Sequence, residues 1–163
     1  MAKFKEIYDE YGKRLYGFIF SLTGDVHLTE EIMQETFYQV FLHIDKFEGR
    51  CSIYTWICQI AKNAWYKECR HQKRYADVTD EQINNLQDEH LLEEKVIKKD
   101  QCLQIRKALN RLEEPYRDVF ILHVIGEIRL KEISDMYGKS ESWAKVTYYR
   151  AKVKIMELMK VRD

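Results

Sequence analysis

Apolar residues recur along this chain at helical spacing almost from its start. Phe4, Ile7, Tyr11, Leu15, Phe18, Ile19 and Leu22 share one side of a first helix over 3–22, which should end near Gly24. Ile32, Thr36, Phe37, Val40, Phe41 and Ile44 mark the buried stripe of a second. Thr29 is its expected cap, with Glu30 and Glu31 in the first turn where the helix dipole favours negative charge. A loop around Gly49 separates it from a third helix over about 53–74, whose inner side would be Ile53, Ile57, Ile60, Ala61 and Ala64. After a polar stretch the periodicity resumes at Ile105, Leu109 and Leu112. Glu113-Glu114-Pro115 ends that helix, and Pro115 suits the first position of the next, which carries Val119, Phe120, Leu122 and Val124.

The last two helices are the most informative. Leu130, Ile133, Met136 and Tyr137 describe a short amphipathic helix. Gly138 breaks it, since only glycine takes left-handed backbone angles without steric cost, and Ser140 stands where an N-cap belongs. In the helix that follows, Ala144, Tyr148, Ala151, Ile155 and Leu158 fall on one stripe. Ser142, Lys145, Val146 and Tyr149 share the adjacent face, flanked by Trp143, Thr147, Arg150 and Lys154. Helix, glycine turn and capped helix with a polar, basic outer face is the pattern of a helix-turn-helix that enters the DNA major groove. The bland reading is an αα-hairpin with solvated charges, and the charge order also suits the helix dipole.

With one proline, six glycines and no alternation of strand type, the fold class expected is all-α: two small helical domains joined by a linker, the C-terminal one holding the helix-turn-helix. The boundaries expected are 1–75, an acidic linker over 76–99, and 100–163. Total charge is balanced at 27 acidic and 27 basic residues, but the balance conceals segregation. Residues 76–100 carry 8 acidic against 3 basic, whereas 101–163 carry 13 basic against 9 acidic. Four cysteines show no CxxC pairing, and Cys69 with His71 lacks further ligands, so no metal or cofactor is expected; free thiols fit a reducing compartment. The start of the chain has no apolar core of a signal peptide and no run is long enough to span a bilayer, which points to a cytoplasmic protein without membrane insertion. Neither a Gly-rich phosphate loop nor a Ser/His/Asp grouping is present, and an enzyme is not expected.

The third helix adds a second nucleic-acid signal. Its expected outer side and end hold Tyr54, Trp56, Lys62, Asn63, Trp65, Tyr66, Lys67, Arg70, His71, Lys73 and Arg74. Rings stack on unpaired bases at about 1–3 kcal/mol each while cations follow the phosphates. The competing account is that the two indoles are core, since Trp is usually largely buried.

Two stretches together resemble one family. Residues 22–74, with the series QETF, TW and AKN, and residues 108–152, with an L-x-x-L-x-x-P-x-R helix before the helix-turn-helix, look like regions 2 and 4 of bacterial sigma factors. The resemblance is to the small two-domain extracytoplasmic-function (ECF) group of the sigma-70 family. It implies a factor that binds core RNA polymerase and directs promoter-specific initiation. Core polymerase would be met through its β′ clamp helices, around Glu31, Gln34, Glu35 and Tyr38, and through its β flap. The −10 element would be melted and a flipped base captured by the 46–53 loop, with Lys46 and Ile53, and by Tyr54, Trp56, Lys62, Asn63, Tyr66 and Arg70. The −35 element would be read by Ser142, Trp143, Lys145, Val146 and Tyr149, with Arg150 on phosphate. The acidic middle segment would run near the RNA exit path. An anti-sigma factor is the implied regulator. Glu127 and Lys139 depart from the family pattern, which commonly has Gly before the motif and an apolar residue in its turn. The other reading is a duplex-DNA-binding helix-turn-helix regulator with an N-terminal interaction domain.

Overall fold

The order of apolar side chains becomes a set of helices in the computed structural model, which describes residues 2–79 and 103–160. Helix α1 (Ala2–Thr23) buries Ile7, Leu15, Phe18, Ile19 and Leu22, and ends at Gly24 as expected. Helix α2 (Val26–His43) packs along it, burying Ile32, Phe37 and Val40. Its cap is Asp25 and not Thr29. Asp25 has extended backbone angles and accepts the Leu28 amide at 2.7 Å. Thr29 lies a turn further in, where its buried hydroxyl donates to the Asp25 carbonyl at 2.7 Å. Phe41, expected inside, is 51 % exposed, with only its edge against Phe4.

A 3₁₀ turn (Ile44–Lys46) and a loop lead to α3 (Ile53–Thr79), five residues longer than its apolar stripe predicts. The rest of the expected linker lies outside the described residues. Residues 103–111 form α4, with Leu109 buried on its inner side and Leu112 just beyond it. Pro115 stands one place before α5 (Tyr116–Phe120), which runs on through a π turn (Ile121–Ile125) to Gly126. Helix α6 (Leu130–Tyr137) ends in the Schellman arrangement, with Lys139 N bonded to Ser134 O at 2.9 Å and Gly138 N to Asp135 O at 3.2 Å. Gly138 takes φ 66°, as the sequence requires. Helix α7 (Glu141–Lys160) follows, its cap Ser140 accepting the Trp143 amide at 3.1 Å.

The described residues are therefore helices with the turns and loops between them, arranged as two helical groups, α1–α3 and α4–α7. One hydrophobic cluster runs through both. Leu15, Phe18 and Ile19 of α1 and Ile57 and Ala61 of α3 belong to it, together with Leu109, Ile121, Leu122 and Ile133. Complete burial of a side chain such as Ile57 or Leu122 contributes about 1.5–3 kcal/mol. Gly126 lies against α1 at the seam between them. A Cβ there would lie 2.7 Å from the Leu122 carbonyl oxygen and 3.3 Å from Cε2 of Phe18.

Candidate nucleic-acid interface

The outer face of α7 is open. Its inner side is closed by Ala144, Thr147, Ala151 and Ile155, so Ser142, Lys145, Val146, Tyr149 and Arg150 are turned to solvent. Tyr149 is 68 % exposed. Lys145 pairs with Glu141 one turn back at 3.6 Å, an exposed pair of little energetic weight that leaves the ammonium free to leave for another acceptor. Trp143 is half-buried, its ring 5.6 Å from that of Tyr137 across the turn, so it braces the motif. Thr147, placed at the flank by periodicity, is buried.

On α3 the expected outer side is largely covered. Trp56 is half-buried and leans on Phe47 of the preceding loop at 5.2 Å. Asn63, Arg70 and Lys46 are exposed, and Ile53 is half-buried. Tyr54, Lys62 and Tyr66, expected at the surface, are buried, as is Trp65, for which the core was the competing reading. Tyr54 lies beneath the Arg14 guanidinium, 3.8 Å from its ring centre, and beside Tyr11 of α1. Trp65 is 3 % exposed and belongs to the core. Of the two indoles on this helix, one is therefore sealed and one is partly open.

Lys62 and Tyr66 are covered for a different reason: the second helical group lies over them. Lys62, with no exposed surface, places Nζ 2.7 Å from Oδ2 of Asp118 on α5. The Tyr66 hydroxyl donates to Oδ1 of Asp118 at 2.7 Å, and the Tyr137 hydroxyl donates to Oδ2 at 2.6 Å. The Arg117 guanidinium stacks on the Tyr66 ring, 3.7 Å from its centre. Burial alone would push the Asp118 carboxyl up, but Lys62 and the two phenols together hold it below the ordinary carboxylate value. For Lys62 the order is reversed: burial draws its ammonium down, against the opposing pull of Asp118. At the other end of the seam, Glu132 on α6 accepts the Ser52 amide at 2.9 Å and the Thr55 hydroxyl at 2.7 Å, at the first turn of α3. These contacts are not expected from periodicity. The one signal in the sequence is Asp118 itself, a charge set among apolar neighbours in the run YRDVFILHVI.

The proposed polymerase-binding residues of α2 behave as a solvated face. Glu31, Gln34, Glu35 and Tyr38 are all exposed on the side away from Ile32, Thr36 and Val40. The thiols are quiet. Burial pushes Cys58 up to about 12 and Cys69 up to about 11, and burial with Glu132 nearby raises Cys51. Among the described residues no His, Cys, Asp or Glu cluster is arranged to hold a metal ion, and no helix is long and apolar enough to cross a membrane.

Comparison with known proteins agrees with this layout. The sigma-70 region 2 family matches residues 7–75 and the sigma-70 region 4 family matches residues 102–155. The ECF RNA polymerase sigma factor SigX of Bacillus subtilis (strain 168) is 32 % identical over 165 residues, covering 96 % of this chain and 85 % of that protein. SigM of the same organism is 29 % identical, covering 94 % and 93 %. Among solved structures, the sigma factor RpoE in complex with the anti-sigma factor NepR from Bartonella quintana superposes with a TM-score of 0.61 at 21 % identity over the whole of both chains. CnrH in complex with the cytosolic domain of CnrY superposes with a TM-score of 0.62 at 16 % identity, covering 98 % of this chain and 89 % of that one. The matches at both ends leave the plain duplex-DNA regulator without support. The chain belongs to the ECF group of the sigma-70 family and is a non-enzymatic sigma factor for promoter-specific transcription.

Proposed function

We propose that this sigma factor works in the cytoplasm by joining core RNA polymerase through its N-terminal part and reading promoter DNA at two places. Residues 1–75 act as the polymerase-docking and strand-opening unit, 76–99 as the acidic connector, and 100–163 as the −35 reader. Glu31, Gln34, Glu35 and Tyr38 meet the β′ clamp helices, and the C-terminal unit meets the β flap. Ser142, Lys145, Val146 and Tyr149 approach base edges in the −35 major groove, with Trp143 bracing the turn and Arg150 on phosphate. The observation that carries this reading is the outer face of α7, where these side chains share one solvent-facing side behind a capped glycine turn. At the −10 element, Trp56 on its Phe47 support is the ring best placed to stack on an unpaired base, with Lys46, Ile53, Asn63 and Arg70 around it. Tyr54, Lys62 and Tyr66 can join them only after rearrangement.

An anti-sigma factor is the regulator proposed, in keeping with the superposing sigma factor RpoE, which was solved in complex with the anti-sigma factor NepR. Run-off transcription with core polymerase and a library of promoters tests the reading. Transcripts are expected from promoters sharing a −35 and a −10 motif. Their complete absence, with the chain folded and polymerase active, would overturn it.

A further inference from the structure

The outer face of α7 is aimed by the roll of the helix behind it. Its inner side next to that face is smooth. Ala144 and Ala151 are fully buried and Thr147 nearly so, and none has a side chain long enough to key the helix against its support. The long side chain on this side is Tyr148. Its ring lies along that of Phe120 on α5, 6.3 Å away and nearly parallel at 21°, and meets the His123 ring edge to face at 4.7 Å. Tyr148 directly precedes Tyr149 and follows Lys145 by three places, so fixing its ring fixes the directions in which both leave the helix.

His123 is itself held. Its Nδ1 lies 2.8 Å from the Ile128 carbonyl oxygen, in the loop that leads into α6. A carbonyl only accepts, so Nδ1 carries the proton and, in the neutral ring, Nε2 does not. The Ile128 amide donates to the Leu122 carbonyl at 3.1 Å, and the Gly126 amide to the Ile121 carbonyl at 3.0 Å. Both backbone polar groups of Ile128 are thus tied to the π turn, one of them through a side chain. His123 joins three elements: the π turn that carries it, the loop before the helix-turn-helix, and the helix that ends the motif. Asparagine would make the bond without the ring contact, and phenylalanine the ring contact without the bond.

We propose that His123 is a positioning residue for −35 reading: anchored to Ile128, it wedges Tyr148 against Phe120 and so sets the roll of α7 and the aim of Lys145 and Tyr149. The proposal rests on the −35 role given to α7 above. His123 acts through Tyr148 and not on DNA. Side-chain tips lie about 5–6 Å from a helix axis, so a roll of about 15° carries them about 1.5 Å. A preorganised site tolerates about 0.5 Å, so even a small roll matters.

Two measurements on the full-length chain test this. In heteronuclear NMR of the ring nitrogens near pH 8.5, about two units above the ordinary histidine value, His123 is expected to show a protonated Nδ1 and a bare Nε2. The opposite tautomer would overturn the anchor and the proposal with it. The second measurement, at the same pH, compares two duplexes, one carrying the −35 sequence that the wild type selects from a random pool and one with that sequence scrambled. His123→Ala is expected to lower the ratio of the two affinities about tenfold, the size of one good base contact. The scrambled duplex should be bound as before and the salt slope unchanged, since no phosphate contact is lost. His123→Asn and His123→Phe should each recover part of the ratio. In the Lys145→Ala background, His123→Ala should cost little further at the base that Lys145 reads. An unchanged ratio would overturn the proposal, and so would an equal loss on both duplexes, which marks a general loss of folded protein. Should His123→Ala fail to fold, the Asn and Phe variants carry the comparison, and a full ratio in both would overturn the proposal. If the wild type selects no motif, the −35 reading fails instead. The backbone amide shifts of residues 142–150 in His123→Asn then still decide the positioning: they move if His123 sets the roll and stay if it does not.

Discussion

At Glu127 the backbone turns to φ 55°, the only positive φ at a non-glycine among the described residues. A side chain there brings Cβ close to the following carbonyl, at a cost of about 1–2 kcal/mol that glycine avoids. Glycine gives part of this back through the larger entropy of its unfolded chain. Glu127→Gly is therefore expected to stabilise the protein by about 1 kcal/mol, read as a higher midpoint in urea denaturation at unchanged slope. A lower midpoint would mean that the Glu127 side chain holds the turn by contacts worth more than the strain. The position is also where the sequence departs from the family pattern, so the departure has a local physical meaning: the turn is kept and its strain is borne. At Gly138 the same backbone requirement is met by the residue suited to it.

Single helices were the scale at which sequence reasoning worked best. The exposed face of α7 proposed to read DNA is legible because exposure there depends on the helix's own inner stripe of Ala144, Ala151 and Ile155. Lys145→Ala is expected to relax preference at one −35 position at a cost of about 1–3 kcal/mol, whereas Arg150→Ala should weaken all sequences alike and lower the salt slope by about one. Titrating both variants against a panel of promoters at several salt concentrations checks this, and identical, sequence-independent losses would show that base and phosphate contacts are wrongly divided. On α3 the same reasoning placed Lys62 and Tyr66 outside, because periodicity records the first partner a helix packs against and not a second one arriving from beyond residue 103. Tyr54 failed for a nearer reason, since the chain pattern does not show that Arg14 lies over its ring. Thr29, the expected cap, and Asp25, the observed one, are both residue types that cap well, and only the backbone angles, extended at Asp25, decide between them. Trp56 is the half-buried indole of α3 proposed to face a strand. Trp56→Ala should impair promoter opening more than closed-complex binding, visible as lost permanganate reactivity at −10 thymines with little change in duplex affinity.

Across the whole molecule, acid sensitivity follows from the carboxylates of the seam. Burial raises both Asp118 and Glu132, but Lys62, Tyr137 and Tyr66 outweigh it for the first, and Ser52 and Thr55 for the second, so both lie below ordinary carboxyl values. A carboxyl lowered by folding lends stability that is complete above its unfolded value, about 4, and lost as pH falls through the folded one. Thermal midpoints of the wild type and of Asp118→Asn, Glu132→Gln should therefore be furthest apart near neutrality and converge below about pH 4. A gap independent of pH would mean that shape, and not charge, sets the effect of the substitutions. Gly126 offers a different handle on the same arrangement. Its backbone angles, φ −79° and ψ −12°, admit alanine, but the added carbon would press on the Leu122 carbonyl oxygen and the Phe18 ring at once. The first belongs to the same helical group and the second to α1, so one methyl group strains the π turn and presses on the seam with every ionisable group left in place. A slower-sedimenting Gly126→Ala protein would show that the two groups part with no change of charge, and unchanged sedimentation would show that the local turn or α1 yields instead.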